Sequence, residues 1–438
     1  MDRSANWAGM NATDYRCTMS DITLDEFRAE CLAFLDANAK PKADTKAFVW
    51  GEGPDDPSLF EEIDREKEKV ELAEAKAWRA KRFDAGLGWI TGDPALGGRG
   101  LSRRHEQVYT ELESQYDVPN QGFFGIGLGM VAPTINDHAI DDVRADLLPK
   151  MYRGDLVGCQ LFSEPGAGSD LASLQMRAEK DGDEWIINGQ KVWTSGAHYS
   201  DVGEVIARTD PDLPKHRGLT GFMVDMGAPG VEIRPLRQMT GGANFNEVFF
   251  NDVRVPDTHR LGDVNDGWRV ALTTLMNERA SIGGGSSSGG GFTRLKEMVR
   301  HFGVADDPVV RQDLMDIYVR GQVLKYNNQR ALAAMKRGEL PGPEMSGGKL
   351  LLTENMRRTS ALVSRVLGPK ITADAGEWGT FSWAGYVLGM PAMAIAGGSD
   401  EVLRNIMGER VLGLPKEPGI DTTSPFKDLL VGTQKSND

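Results

Sequence analysis

Two changes of hydrophobic period, near residues 158 and 267, constrain the fold of this 438-residue chain more than any other feature. Between them lie short runs of β-branched and aromatic residues separated by turn signals: 174–179, 184–187, 191–194, 202–208, 220–224, 231–235 and 246–255. Such runs are too short for helices, and their close spacing predicts an antiparallel barrel or sandwich. Asp181-Gly182 and Asn188-Gly189 are expected to supply its hairpin turns, because both pairs tolerate positive φ. On either side the helical period holds. The chain is therefore expected to be an α+β multidomain protein with an N-terminal helical bundle, a middle antiparallel β-barrel domain and a C-terminal helical bundle. Expected boundaries are a flexible N-terminus over 1–20, helical 21–157, β 158–262, helical 263–415 and a tail over 416–438.

Local chemistry fixes several helix ends. Thr23-Leu24-Asp25-Glu26 is a capping box, followed by Leu24, Phe27, Cys31, Phe34 and Leu35 at helical spacing. A second helix is expected from near Leu59, its alternating charges at 64–69 forming a solvated face. Further helices are expected around 107–116 and 122–140, and Gly413 and Pro415 should stop the last one near Leu412. The tract 281–291, rich in Gly and Ser, either breaks a helix or is held by packing that needs small side chains, since each interior Gly costs roughly 1 kcal/mol.

Composition narrows the function classes. The formal net charge of −14 disfavours phosphate neutralisation as the main activity, so no nucleic-acid partner is expected. No run approaches the roughly 18 apolar residues of a membrane span, and the polar start lacks a signal-peptide pattern, which leads us to expect a cytoplasmic protein without a membrane partner. Cys17, Cys31 and Cys159 are scattered and the six histidines show no ligand spacing, so neither a disulfide framework nor a metal is expected. Gly285-Ser286-Ser287-Ser288-Gly289 matches the nucleophile-elbow pattern of a hydrolase, but it follows a helix rather than a strand.

The chemically distinctive segments are Gln160-Leu161-Phe162-Ser163-Glu164-Pro165-Gly166-Ala167-Gly168-Ser169-Asp170 and Asn188-Gly189-Gln190-Lys191-Val192-Trp193-Thr194-Ser195-Gly196. The first offers small residues, amides and hydroxyls to an anionic or carbonyl-rich ligand; the second sets an indole beside hydroxyls. Together they resemble the flavin-binding signature of the acyl-CoA dehydrogenase family. The run from Ile395 to Pro415 is similar to that family's closing motif, and weaker echoes at 96–101, 277–280 and 307–312 extend the resemblance over roughly 85–415.

The resemblance implies bound FAD, with Gln160, Phe162, Ser163, Gly168, Ser169, Trp193, Thr194 and Ser195 around the ring, Ser399, Asp400 and Glu401 at a helix start, and Gln312 reaching the cofactor of a neighbouring subunit. It further implies α,β-dehydrogenation of an acyl-CoA thioester to the trans-2-enoyl-CoA. An α-proton base, a β-hydride acceptor at flavin N5 and donors on the thioester carbonyl are then needed. Many family members place the base where this chain has Gly397; a minority place it at the position matched here by Glu278. Glu278 is thus the expected base. Ser169, the Gly397 amide and Arg279 as an orienting partner are expected on the substrate, with the flavin ribityl 2′-hydroxyl as second carbonyl donor. Small residues at 283–291 and 397–398 suggest room for a branched or ring-bearing acyl group. The family context also implies lipid metabolism, a homodimer or homotetramer, and electron-transfer flavoprotein as electron acceptor. Two other roles stay open: a non-catalytic subunit of a hetero-oligomer, and an oxygen-using flavoenzyme of the same fold.

Overall fold

The computed structural model describes residues 22–42, 48–60, 64–283, 291–336, 342–416 and 421–430. They divide into two compact units, a smaller one of 1–45, 70–121 and 145–155 and a larger one of 46–69, 122–144 and 156–438. The expected flexible 1–20, Cys17, the nucleophile-elbow match and residues 284–290 of the Gly/Ser tract lie outside the described residues.

In chain order the first elements are α1 (Leu24–Asn38), β1 (Lys40–Pro41), α2 (Arg65–Asp84), α3 (Arg103–Glu113), β2 (Tyr116–Asp117), α4 (Ala132–His138) and α5 (Asp141–Arg153). The capping box forms, with Thr23 Oγ1 accepting from the Glu26 amide and the Thr23 amide donating in return to the Glu26 carboxylate at 2.9 Å. Phe27, Cys31 and Leu35 of its apolar stripe pack with Trp78, Tyr109 and Leu112 as the core of the smaller unit. The second helix starts at Arg65 rather than near Leu59, because Asp64 accepts from the Glu66 and Lys67 amides and so caps it.

The larger unit holds β3 (Gly158–Leu161), β4 (Arg177–Asp181), β5 (Glu184–Ser195), β6 (Val202–Arg208), β7 (Leu219–Asp225), β8 (Val231–Leu236), β9 (Phe245–Pro256) and β10 (Arg260–Leu261). Their order is β10-β7-β6-β4-β5-β9-β8, with β3 beside β6. Two expectations need correcting. The sheet is open, with no pairing of β10 to β8 among the described residues, and β3 and β4 run parallel to β6, so it is not purely antiparallel. The Asn188-Gly189 pair makes no hairpin: it is a bulge inside one long strand. Asn188 exchanges bonds of 2.9 Å with Asp252 across the ladder, and Gly189 at φ +148° passes so close to Met176 that a Cβ would come within 2.9 Å of its Cα. The Asp181-Gly182 turn does form, joining β4 to β5 with Gly182 at φ +62°.

The helical period returns in α6 (Gly267–Gly283), α7 (Phe292–His301), α8 (Pro308–Lys336), α9 (Ser346–Leu367), α10 (Trp383–Met393) and α11 (Asp400–Ile406). Leu295, Met298, Ile317, Leu362, Trp383 and Tyr386 interlock as a second core of this unit. Helix α6 is seated tightly: a Cβ on Gly267 would stand 2.6 Å from Thr220 Cα, so only glycine allows that approach to β7. The helical run ends in a π turn over Met407–Val411, with Gly413 at φ +69° beyond it. No helix among the described residues is long and apolar enough to cross a membrane.

Candidate active site

The loop following β3 is shaped by a buried ion pair. Glu164 accepts from the Gln175 and Met176 amides at 2.7 and 2.9 Å and from Lys191 Nζ at 3.0 Å. Lys191, wholly buried on β5, also donates to the Phe162 carbonyl, while the Val192 amide donates to that of Ser163. Burial pushes the Lys191 ammonium down from its ordinary range, and Glu164 opposes that shift. At the loop's far end Lys215 Nζ donates to both Asp170 oxygens at 2.8 Å. Burial would raise the Asp170 carboxyl, but bonds from Lys215 and Ser173 outweigh it and hold the group below its ordinary value. The loop is therefore fixed from both ends. Between them Gly166 and Gly168 face open space, with nothing within 4 Å of where a Cβ would stand.

The structure brings this loop to α11. Ser169 and Ser399 meet hydroxyl to hydroxyl at 3.4 Å, and Ser399 caps α11 by accepting from the Val402 amide. Asp400 is wholly buried and accepts from Arg357, Thr353 and Lys349 at 2.6, 2.9 and 3.2 Å. Burial favours its neutral form, yet these bonds hold it ionised, so its carboxylate anchors the helix start to α9. Glu401 is exposed, 3.5 Å from Arg404. The turn ahead of α11 needs left-handed backbone at Gly397 and Gly398, φ +67° and +86°. A side chain at 397 would be strained in that conformation.

On β5, the register shift between Lys191 and Thr194 throws Trp193 into the left-handed region, φ +61°, with 57% of its surface exposed. A bulky residue in that conformation costs of order 1–3 kcal/mol and marks a place where the fold enforces a geometry. The indole meets Phe245 edge-on at 5.9 Å. Thr194 is buried with its hydroxyl unpartnered, and its carbonyl accepts from Asn246 at 3.0 Å. Ser195 pairs with Phe245 in the β9 ladder. Gln160 lies on β3 opposite Glu204. An exposed indole, two open glycines and the paired Ser169 and Ser399 hydroxyls are groups that suit a planar, carbonyl-rich ring such as isoalloxazine.

Glu278 is half-buried on α6, four residues after Thr274 and so on the same helix face. Thr274 is tied down: it donates to Glu204 at 2.6 Å and shares a 2.8 Å bond with Thr134 of α4. Arg279 lies on α6, its side chain outside the described residues. Gln312 is exposed on α8, apart from this cluster in the sequence and on a face that also presents Met315, Val319, Val323 and Tyr326. Sequence reasoning missed Glu164, Lys191, Lys215, Arg357 and Glu204. The one visible signal was Lys191, a cation directly before Val192 and Trp193 in an expected strand.

Residues 159–253 match the family model for the acyl-CoA dehydrogenase middle domain, and 265–412 match that for its C-terminal domain. The chain is 37% identical over 404 residues to the acyl-CoA dehydrogenase IpdE1 of Mycobacterium tuberculosis, covering 91% of this chain and 99% of that protein. Among solved structures it is similar to the Tcur3481-Tcur3483 steroid ACAD, with TM-score 0.68, 26% identity, and 90% and 98% of the two chains covered. It is also similar to the ChsE4-ChsE5 complex from Mycobacterium tuberculosis, with TM-score 0.64, 26% identity, and 91% and 100% covered.

Proposed function

The chain belongs to the acyl-CoA dehydrogenase family and is a flavin-dependent oxidoreductase that uses FAD, and from that premise we propose that it oxidises a bulky, ring-bearing acyl-CoA to the trans-2-enoyl-CoA with Glu278 as the α-proton base. The observation that carries the assignment of the base is Gly397: its left-handed backbone disfavours a side chain, while Glu278 stands half-buried on a helix pinned to the sheet. When bound, FAD supplies the acceptor for the β-hydride. The protein's part is to hold the thioester, polarise its carbonyl through the Gly397 amide and take the α-proton on a Glu278 carboxylate oxygen.

The residues that would hold FAD are Phe162, Ser163, Gly168 and Ser169 of the anchored loop, Trp193 and Ser195 of the bulged strand, and Ser399 at the start of α11. Asp400 contributes by fixing that helix start, and Glu401 is exposed beside it. The ring-bearing substrate is favoured by glycines at 397 and 398 and by likeness to a structure described as a steroid ACAD. The neighbours include heteromeric assemblies. A homo-oligomer is proposed here from the apolar face of α8, with Gln312 on it reaching a partner's cofactor. Electron-transfer flavoprotein is the proposed acceptor of the electrons.

The test is anaerobic titration of the purified yellow protein with a panel of acyl-CoA esters, following the flavin's visible absorption. Bleaching by ring-bearing or branched esters ahead of short linear ones is expected. A folded protein without flavin, or a preference for a short linear ester over every bulky one, would contradict the proposal.

A further inference from the structure

A short segment near the C-terminus, residues 421–430, lies beyond the region matched by the C-terminal family model, which ends at 412. It is nonetheless well fastened to the sheet domain. Pro425 bridges Pro214, the Phe426 and Lys427 amides donate to the Leu213 and Pro211 carbonyls at 2.9 and 3.0 Å, and Lys427 pairs with Asp212 at 2.5 Å. The Phe426 ring, only 9% exposed, lies over the guanidinium of Arg208, 3.6 Å from ring centre to Cζ.

Arg208 links this segment to the cofactor loop. It is 5% exposed, and its hydrogen bonds go to three carbonyls: Lys215 at 2.9 Å, Ala172 at 2.6 Å and Leu174 at 3.2 Å. Its Nε finds no acceptor. A desolvated cation with neutral acceptors gains from the negative face of an aromatic ring, and the ring excludes the water that would otherwise compete for those carbonyls. Two of the carbonyls belong to the turn that follows Asp170, and the third belongs to Lys215, which grips Asp170. The chain of contacts is thus Phe426, Arg208, then the 170–174 turn together with Lys215, and through them the loop that carries Ser163, Gly168 and Ser169.

We propose that Phe426 is a positioning residue for the cofactor: through Arg208 it locks the 163–170 loop and slows the escape of FAD. The proposal rests on the assignment of that loop to the flavin. It is tested by the rate at which FAD leaves the holoenzyme on dilution, read as the rise of free-flavin fluorescence, in four proteins. Phe426→Leu keeps an apolar filler but removes the π face, and it should release FAD about tenfold faster. Phe426→Trp restores a π face and should stay within about twofold of wild type. Asp170→Asn loosens the loop directly and should also speed release. Phe426→Leu with a lowered melting temperature and wild-type FAD release would reduce the segment to a structural brace and overturn the proposal. Unchanged release from Asp170→Asn would instead show that the loop does not hold the flavin, a failure of the underlying assignment.

Discussion

Glu278 and Glu204 sit one turn and one hydrogen bond apart from Thr274, yet their chemistry differs by burial. Glu278 is half-buried and is the proposed base. Glu278→Gln should keep FAD and bind acyl-CoA while flavin reduction falls by at least about 100-fold in stopped-flow measurement. Gly397→Ala should act through backbone strain, costing about 1–2 kcal/mol in denaturant titration and far less in rate. Glu204 is wholly buried with one oxygen unpartnered, and desolvation pushes its carboxyl from 4.5 to about 8. Its other oxygen accepts from Thr274 at 2.6 Å, and the contacts run on through Thr134 to the Met130 carbonyl. The folded state therefore holds a proton that the unfolded chain has lost. This contribution is complete below pH 4.5 and disappears as pH rises through 8. Glu204→Gln should flatten the fall of melting temperature over that range, raising it by at least about 4 °C at the alkaline end. A wild-type pH profile in the variant would show that Glu204 is not held neutral.

At the scale of elements, what could be foreseen followed from local chemistry. The capping box of α1, the Asp181-Gly182 turn and the stop after Leu412 each depend on a few adjacent residues, and each forms as expected. The two segments proposed to hold the flavin were picked out in the same way, from runs of adjacent residues. The bulge at Asn188-Gly189 was not, because a partner 64 residues away, Asp252, decides it. Nor were the anchors of the site: Lys191 to Glu164, Lys215 to Asp170 and Arg357 to Asp400 join residues 27, 45 and 43 positions apart. The Lys191 pair tests how far such anchors matter. Lys191→Met leaves a buried carboxylate without its cation and should cost about 3–5 kcal/mol, with flavin content falling alongside. Adding Glu164→Gln should recover part of that stability. Equal stability of Lys191→Met and wild type in urea would mean that the loop is held by its backbone alone.

For the molecule as a whole, α8 presents Met315, Val319, Val323 and Tyr326 to solvent at spacings of three and four residues, an apolar stripe suited to a second copy. Val319→Asp should shift the light-scattering mass to a smaller species, whereas a wild-type monomer with full FAD occupancy would refute the shared-site reading of Gln312. The assignment of the base is tested most directly by mixing wild-type and Glu278→Gln holoenzymes anaerobically with the ester that bleaches the wild type best. The wild-type flavin should be reduced within the reaction time and the variant should stay yellow with substrate bound. Reduction of Glu278→Gln at the wild-type rate would contradict the assignment and require another carboxylate.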